Sequence, residues 1–414
     1  MGAQQSNERW IVFVRLLPLA LATFAVGTDN FVIAGLLPAM AEDLGVTVPA
    51  AGQLVTVFAL TFAVSAPVLG AATSGMNRRT ALLLALAVFV AGNAATALGT
   101  SYGMVMAARI VTAAGAGIIT SAASSTAVAV VPPERRGGAL AFVMGGLSAS
   151  TALGLPLGTL IGGVDWRLTL WAVAGAGIVA AVGIAVGLPK VSLPAAGFRA
   201  RLAPMKQPWV LGVLVVTMTV FAGSYLLYPY VGVAAEGLTG GSATALTVLL
   251  LAWGLGTLTG TVIAGPLTDR HRPERVLAAS LLAAALVLAV SPVMLAGLTS
   301  AVVWAALWGL CVGIPVIPQQ HRLVAHAPAA SPILLGLNSA AVYIGIALGG
   351  GLGGLAQTWI TPARLGLPAA AITALAFALT LATTRRPVTG ATSASASASA
   401  SASPPDLAHR TETT

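Results

Sequence analysis

The sequence predicts an all-α membrane protein with twelve transmembrane helices arranged as two parallel six-helix repeats. Three observations carry this. Of 414 residues, 57% are hydrophobic and 7% charged, with a mean hydropathy of +0.93, whereas a soluble domain needs roughly 25% charged residues. Apolar runs able to cross a hydrocarbon core, roughly 20 residues each, recur along the whole chain. Segments six spans apart share residues at the same spacing.

Each run is continuous and far longer than a barrel strand, and backbone in lipid must satisfy its own hydrogen bonds, so the runs read as helices. The first, 15–38, follows Arg9 and Arg15 as a signal peptide would. Its length, its interruption by Asp29 and Asn30, and the lack of a clear A-x-A site predict an uncleaved helix. Spans at 51–72, 80–99, 103–130, 138–163 and 168–188 complete an N-terminal bundle, 1–188. Residues 189–208 hold four basic residues and four prolines and read as a cytoplasmic linker. The second bundle, 209–384, has spans at 209–232, 243–267, 276–297, 300–319, 332–358 and 364–383. The Ser/Ala-rich tail, 385–414, has no core-forming residues and is expected to be disordered.

Basic residues orient the bundle. Arg78, Arg79, Arg135, Arg136, Lys190, Arg270, Arg272, Arg275, Arg322, Arg385 and Arg386 fall on the side of the termini, against Arg167 and Arg364 opposite. The positive-inside rule then makes both termini of this multi-pass inner-membrane protein cytoplasmic. A net charge of +9 describes loops facing anionic lipid, and no nucleic-acid partner is needed to explain it. Cys311 is the only cysteine, and His271, His321 and His326 sit in or near cytoplasmic loops without ligand spacing, so no metal site is expected. A phosphate-binding G-x-x-x-x-G-K-[ST] loop and a nucleophile–base constellation are both absent, which argues against an ATPase or any other enzyme.

The repeat is visible where GGLSASTALGLPLGTLIGG (145–163) lies over GLNSAAVYIGIALGGGLGG (336–354). Gly145, Ser148, Gly154, Gly158, Gly162 and Gly163 pair with Gly336, Ser339, Gly345, Gly349, Gly353 and Gly354. A second match joins 70–86 to 265–282. Because six is even, the copies share one orientation.

With TDNFVIAGLLPAMAEDLGVT in and after span one, ARIVTAAGAG in span four, VPPERRGGA before span five, GLPLGTLIGG, DWRLTLW entering span six and the G-x-L-x-D-R motif as GPLTDRHR, the chain resembles the major facilitator superfamily. The likeness is to its twelve-helix drug/proton antiporter branch and arabinose-efflux-permease-like members. Ser74 stands where that family's loop motif has an acid, and Leu155 separates Gly154 from Pro156. The resemblance implies a central cavity lined by helices one, four, seven and ten, with helices five and eleven packed between the bundles. It also implies alternating access driven by a proton gradient in a single chain, without a cofactor, moving a small amphiphilic drug or natural product outward. Export of a sugar, nucleoside or other polar metabolite is the alternative, and a non-transporting receptor or scaffold a third.

Two charges read as lying at membrane depth, Asp29 and Arg109. A charge at the bilayer centre costs about 2.5–3.5 kcal/mol even on insertion scales, so such residues face a cavity or a partner. Two roles are open to Asp29: a proton-coupling carboxyl, whose protonation burial favours and Arg109 opposes, or a hydrogen-bond acceptor bending helix one beside Gly27. Arg109 either holds the deprotonated form or snorkels outward. Asn30, Gln53 and Asn338 are candidates for ligand hydrogen bonds, and Tyr225 and Trp308 for an apolar cavity wall. Trp304 and Tyr228, near outer ends, fit an interfacial belt better. Gly154, Pro156, Gly158, Gly345 and Gly349 are expected to form smooth or kinked surfaces between the bundles. Arg78, Arg79, Asp269 and Arg270 are read as a conformational latch.

Overall fold

The computed structural model describes residues 2–73, 75–191, 203–327 and 330–384. The tail at 385–414 and the middle of the linker, 192–202, lie outside the described residues. Helix is the only regular structure among the described residues. The first half comprises α1 (Gly2–Asp43), α2 (Val48–Ala72), α3 (Arg78–Ala97), α4 (Tyr102–Ala129), α5 (Arg136–Gly162) and α6 (Trp166–Gly187). The second comprises α7 (Pro208–Leu227), α8 (Ala243–Arg270), α9 (Pro273–Ala289), α10 (Leu298–His326), α11 (Ser331–Ala356) and α12 (Gly366–Thr384). Polar residues at the turns start them: Thr47, Asn77, Ser101, Asp165 and Ser242 each accept a backbone N–H of the helix that follows.

Among the described residues, eleven helices are long and apolar enough to cross a membrane. The ninth predicted span, 276–297, divides instead into α9, with 17 residues, and a short turn at Ser291–Met294. Seventeen is the lower end of the spanning range. Three further helices depart from straight α geometry. In α5 a π turn, Ser150–Gly154, precedes Pro156, and the Leu155 N–H reaches back to the Ser150 carbonyl. The widened turn relieves the clash between the proline ring and the carbonyl four residues before it. The chain of α7 tightens at Tyr228–Tyr230, around Pro229, before a short tail runs on through Val231–Ala234 and Glu236–Thr239. In α10 the helix breaks after Gly313 at Pro315 and resumes at Val316–His326. His321, Arg322 and His326 therefore belong to a helix, and the expectation that they lie in loops is corrected.

The sequence repeat is also a packing repeat. Helix α1 packs on α5 and α6, α2 on α4, and α3 on α4 and α6; α7 packs on α11 and α12, α8 on α10, and α9 on α10 and α12. Adding six to each member of the first set yields the second. The halves meet through α2 against α11 and α5 against α8, two contacts that exchange under the same operation, and through α1 against the tail of α7. They join on the side away from the termini, where Gly52 faces Tyr230, Gly163 faces Ala243 and Gly354 faces Gln53. Toward the terminal side the bundle loosens: α5 meets α8 through Ser150–Gly162, not through its first turns, and a Cβ at Gly145, Gly265 or Gly336 would meet nothing within 4 Å.

Candidate functional site

The close approach of α1 and α5 fixes the centre of the first half. Gly27 lies against the Ser150 side chain and Gly154 against Thr28, so the π turn sits directly on the stretch of α1 that carries Asp29. A side chain at either glycine would push the helices apart. Asp29 is 0% and Arg109 1% exposed, and Arg109 NH1 donates to Asp29 Oδ1 at 2.7 Å. The guanidinium also lies 4.3 Å over the Phe58 ring of α2, a cation–π contact. The structure thus brings the two predicted charges together, and Arg109 does not snorkel. The pair is incompletely satisfied: Asp29 Oδ2, Arg109 Nε and the neighbouring Thr28 hydroxyl are buried without hydrogen-bond partners among the described residues. Asn30 is buried beside them.

From Phe58 a ladder of rings crosses to the other half. Phe58 and Phe62 stack at 6.4 Å, and Phe62 stacks at 3.7 Å on Tyr343 of α11. Sequence reading overlooked all three. The i, i+4 spacing of Phe58 and Phe62 on one face of α2 was the available signal.

Five aromatic residues of the second half form one buried cluster. Tyr225 lies 5.1 Å from Tyr228, Tyr228 4.4 Å from Trp253, Trp253 5.9 Å from Trp308, and Trp308 5.2 Å from Trp304. Tyr228 and Trp304 are each 1% exposed, which corrects the interfacial-belt expectation. The Tyr228 hydroxyl donates to the Phe31 carbonyl of α1 at 3.0 Å, and the Trp304 indole to the Val287 carbonyl at 2.8 Å. Inside the bundle these polar tips find backbone where a belt would have them find water. Phe31 touches Tyr228 and Trp253 at 6.3 and 6.2 Å, so the cluster adjoins the helix that carries Asp29. The indole N–H groups of Trp253 and Trp308 are buried without partners.

Other expected residues lie elsewhere. Gln53 is half-buried and donates to the Pro49 carbonyl of its own helix at 3.3 Å. Asn338 joins a polar chain in the second half: Thr217 donates to Asn338 Oδ1 at 2.8 Å, and Gln319 Nε2 donates to Thr217 at 3.0 Å and to the Val213 carbonyl at 3.1 Å. Arg322 NH1 then donates to Gln319 Oε1 at 2.8 Å, and NH2 to Thr383 at 3.1 Å, with Glu274 at 3.7 Å. Arg322 is 4% exposed, so the second half does hold a buried charge, contrary to the sequence reading. The prolines at 315 and 318 concealed it by suggesting that the span ended there.

Of the expected latch residues, Arg78 donates its backbone N–H to the Val191 carbonyl at the start of the linker, and Arg79 donates its side chain to the Ala185 carbonyl of its own half. Asp269 and Arg270 are exposed and make no ion pair among the described residues. The glycine surfaces are also turned differently from expectation. Gly154 and Gly158 face Thr28 and Val32 of α1, and Gly345 and Gly349 face Met218 and Ala222 of α7, each within one half. Glycines turned to the opposite half include, besides Gly52 and Gly163, Gly254, against the Thr151 carbonyl, and Gly350 and Gly354, against α2.

Two repeated bundles of membrane-length helices, closed over a buried ion pair with unspent hydrogen-bonding capacity, form a multi-pass membrane protein, and its relatives make it a transporter. The family model of the Major Facilitator Superfamily matches residues 19–238, and the chain belongs to that superfamily. The chain is 33% identical over 355 residues to the MFS-type transporter YtbD of Bacillus subtilis, covering 82% of this chain and 87% of that one. The inner membrane transport protein YdhP of Escherichia coli K12 is 30% identical over 341 residues, 82% and 87% of the two chains. A chloramphenicol resistance protein of Streptomyces lividans is 35% identical over 267 residues, 63% of this chain and 68% of that one.

Proposed function

We propose that this transporter exports a small amphiphilic molecule in exchange for protons, by alternating access and as a single chain. The observation that carries the reading is the buried Asp29–Arg109 pair, in which one carboxylate oxygen has no partner. Separating a buried pair is costly unless the carboxyl becomes neutral. Protonation of Asp29 would free Arg109, and the ring ladder from Phe58 to Tyr343 would carry that change to the other half. The aromatic cluster supplies an apolar wall for the cargo. With both termini cytoplasmic, the looser terminal side faces inward, where an exported molecule enters.

The resistance protein of Streptomyces supports a drug as cargo. A sugar or other polar metabolite is disfavoured by the rings that line the second half. The test is uptake into everted vesicles under an imposed pH gradient, with a panel of hydrophobic cations, neutral drugs and sugars. Gradient-driven accumulation of drugs, lost in Asp29→Asn, is expected; accumulation of sugars alone, or undiminished drug uptake by the mutant, refutes the proposal.

A further inference from the structure

Asp29 keeps one carboxylate oxygen, Oδ2, buried and without a hydrogen-bond partner among the described residues. An ionised carboxylate only accepts, and an acceptor left empty away from water is costly, so the site calls for one more donor. Arg109 of α4 is committed to Oδ1 through NH1 at 2.7 Å. On α1 itself the Thr28 hydroxyl is turned to Gly154, and Asn30 lies about 100° further round the helix. Helix α2 presents the phenyl rings of Phe58 and Phe62. Helices α5, α6 and α8 carry charged side chains only near their ends, at Arg136, Arg167, Asp269 and Arg270. At the end of α7, Tyr228 already donates to the Phe31 carbonyl and Tyr230 to the Gly350 carbonyl, and Tyr225 packs on Tyr228 in the aromatic cluster.

That leaves Tyr343 of α11, and three observations put it within reach. Its ring stacks on Phe62 at 3.7 Å with the planes 21° apart, and from Phe62 the rings lead through Phe58 to the Arg109 guanidinium. Its depth also matches. Asp29 lies 14 residues before the end of α1 at Asp43, Phe62 14 after the start of α2 at Val48, and Tyr343 13 before the end of α11 at Ala356. At about 1.5 Å per residue all three sit about 20 Å from the ends away from the termini. Finally, Tyr343 is near enough to Asp29 for the carboxylate's charge to act on the phenol. The Tyr343 hydroxyl makes no hydrogen bond among the described residues, unlike those of Tyr228 and Tyr230. With 8% of its surface exposed, Tyr343 is not sealed in, and its hydroxyl and Oδ2 are not bonded while the terminal side is loose.

We propose that Tyr343 is the second half's partner for Asp29, its hydroxyl donating to Oδ2 when the halves close on the terminal side and letting go when the carboxyl takes up a proton. This rests on the proton-exchange reading and adds the group through which protonation acts on the other half. A hydrogen bond to a carboxylate is about twice as strong as one between neutral groups, so a proton arriving on Asp29 weakens its hold on α4 and on α11 together. The phenol keeps its own proton throughout and acts only on the carboxyl, as a positioning residue.

The test is an infrared titration of the purified full chain in detergent, following the carboxylic-acid C=O band that is absent from Asp29→Asn. Tyr343→Phe keeps the stack on Phe62 and removes only the hydroxyl. Losing a donor to the ionised form disfavours that form, so the midpoint should move to higher pH by about one to two units, the size of a hydrogen bond to a charged group. Tyr343→Leu, which loses the stack as well, should show the same shift with a lower melting temperature. An unmoved midpoint in Tyr343→Phe overturns the inference, and so does a shift confined to Tyr343→Leu, which is the mark of packing alone. Uptake into everted vesicles separates this from the exporter reading. A shifted midpoint without gradient-driven uptake of the drug panel leaves the Tyr343 bond standing and overturns export by proton exchange; gradient-driven drug uptake with an unmoved midpoint does the reverse.

Discussion

Replacing Asp29 by leucine should destabilise the protein more than replacing Asp29 and Arg109 together. In the single mutant the guanidinium, 1% exposed, loses its counter-ion and keeps only the face of Phe58, 4.3 Å away. Stranding one member of a buried pair costs about 3–5 kcal/mol. The Phe58 face, worth about 2 kcal/mol to a desolvated cation, still compensates part of the stranded charge, so the expected loss lies at the lower end of that range. About 3 kcal/mol is roughly a hundredfold in the unfolding equilibrium. Asp29→Leu/Arg109→Met removes both charges for side chains of similar bulk, a change that is commonly neutral or stabilising. The pair should therefore show a strong coupling in a double-mutant cycle, read by unfolding in mixed micelles with increasing detergent denaturant. The double mutant should regain the wild-type midpoint and still fail to move substrate. Additive effects of the two single mutations would show that the ions do not depend on one another. Transport by the double mutant would remove the pair from the mechanism.

Three further outcomes follow from helix contacts between and within the halves. Gly254→Leu would drive a side chain into the Thr151 carbonyl across the interface; it should hold the far side open, seen as faster impermeant-maleimide labelling of a Thr56→Cys reporter in a Cys311→Ser background, and unchanged labelling counts against it. Tyr228→Phe loses the bond to the Phe31 carbonyl, worth about 1 kcal/mol, and should raise labelling of the same reporter about fivefold; no rise would show that the bond does not hold the halves together. Gly158→Leu meets Val32 and Thr169 within one half, so it should lower thermal stability by about 1–3 kcal/mol of overpacking, and normal stability with arrested exchange would restore the idea of a surface between bundles.

What was legible in the sequence was whatever lipid enforces. Span lengths, the repeat and the cost of a charge in hydrocarbon all act on composition, so the helices, their duplication and the burial of Asp29 and Arg109 could be read without coordinates. What was hidden depends on where a helix ends and which way a face turns. Arg322 reads as a loop residue because two prolines and a run of polar groups precede it, yet the helix resumes after Pro315 and carries it inward. Trp304 and Tyr228 have the amphipathic character of belt residues, and only the backbone carbonyls waiting at Val287 and Phe31 distinguish burial from a water interface. The glycines of α5 and α11 showed close approach but not to which neighbour, since two faces of each helix are lined with small residues.

The break in α7 gives its last turns divided ownership. The helix up to Leu227 is built into the second half, but the stretch beyond Tyr228–Tyr230 rests on α1 of the first. Any motion that separates the two halves on that side must strip the tail from α1 or swivel the chain at Pro229. This short strap is thus a place where separation of the halves would flex the second half's own backbone, and stiffening it would hinder that separation without touching the Asp29–Arg109 pair.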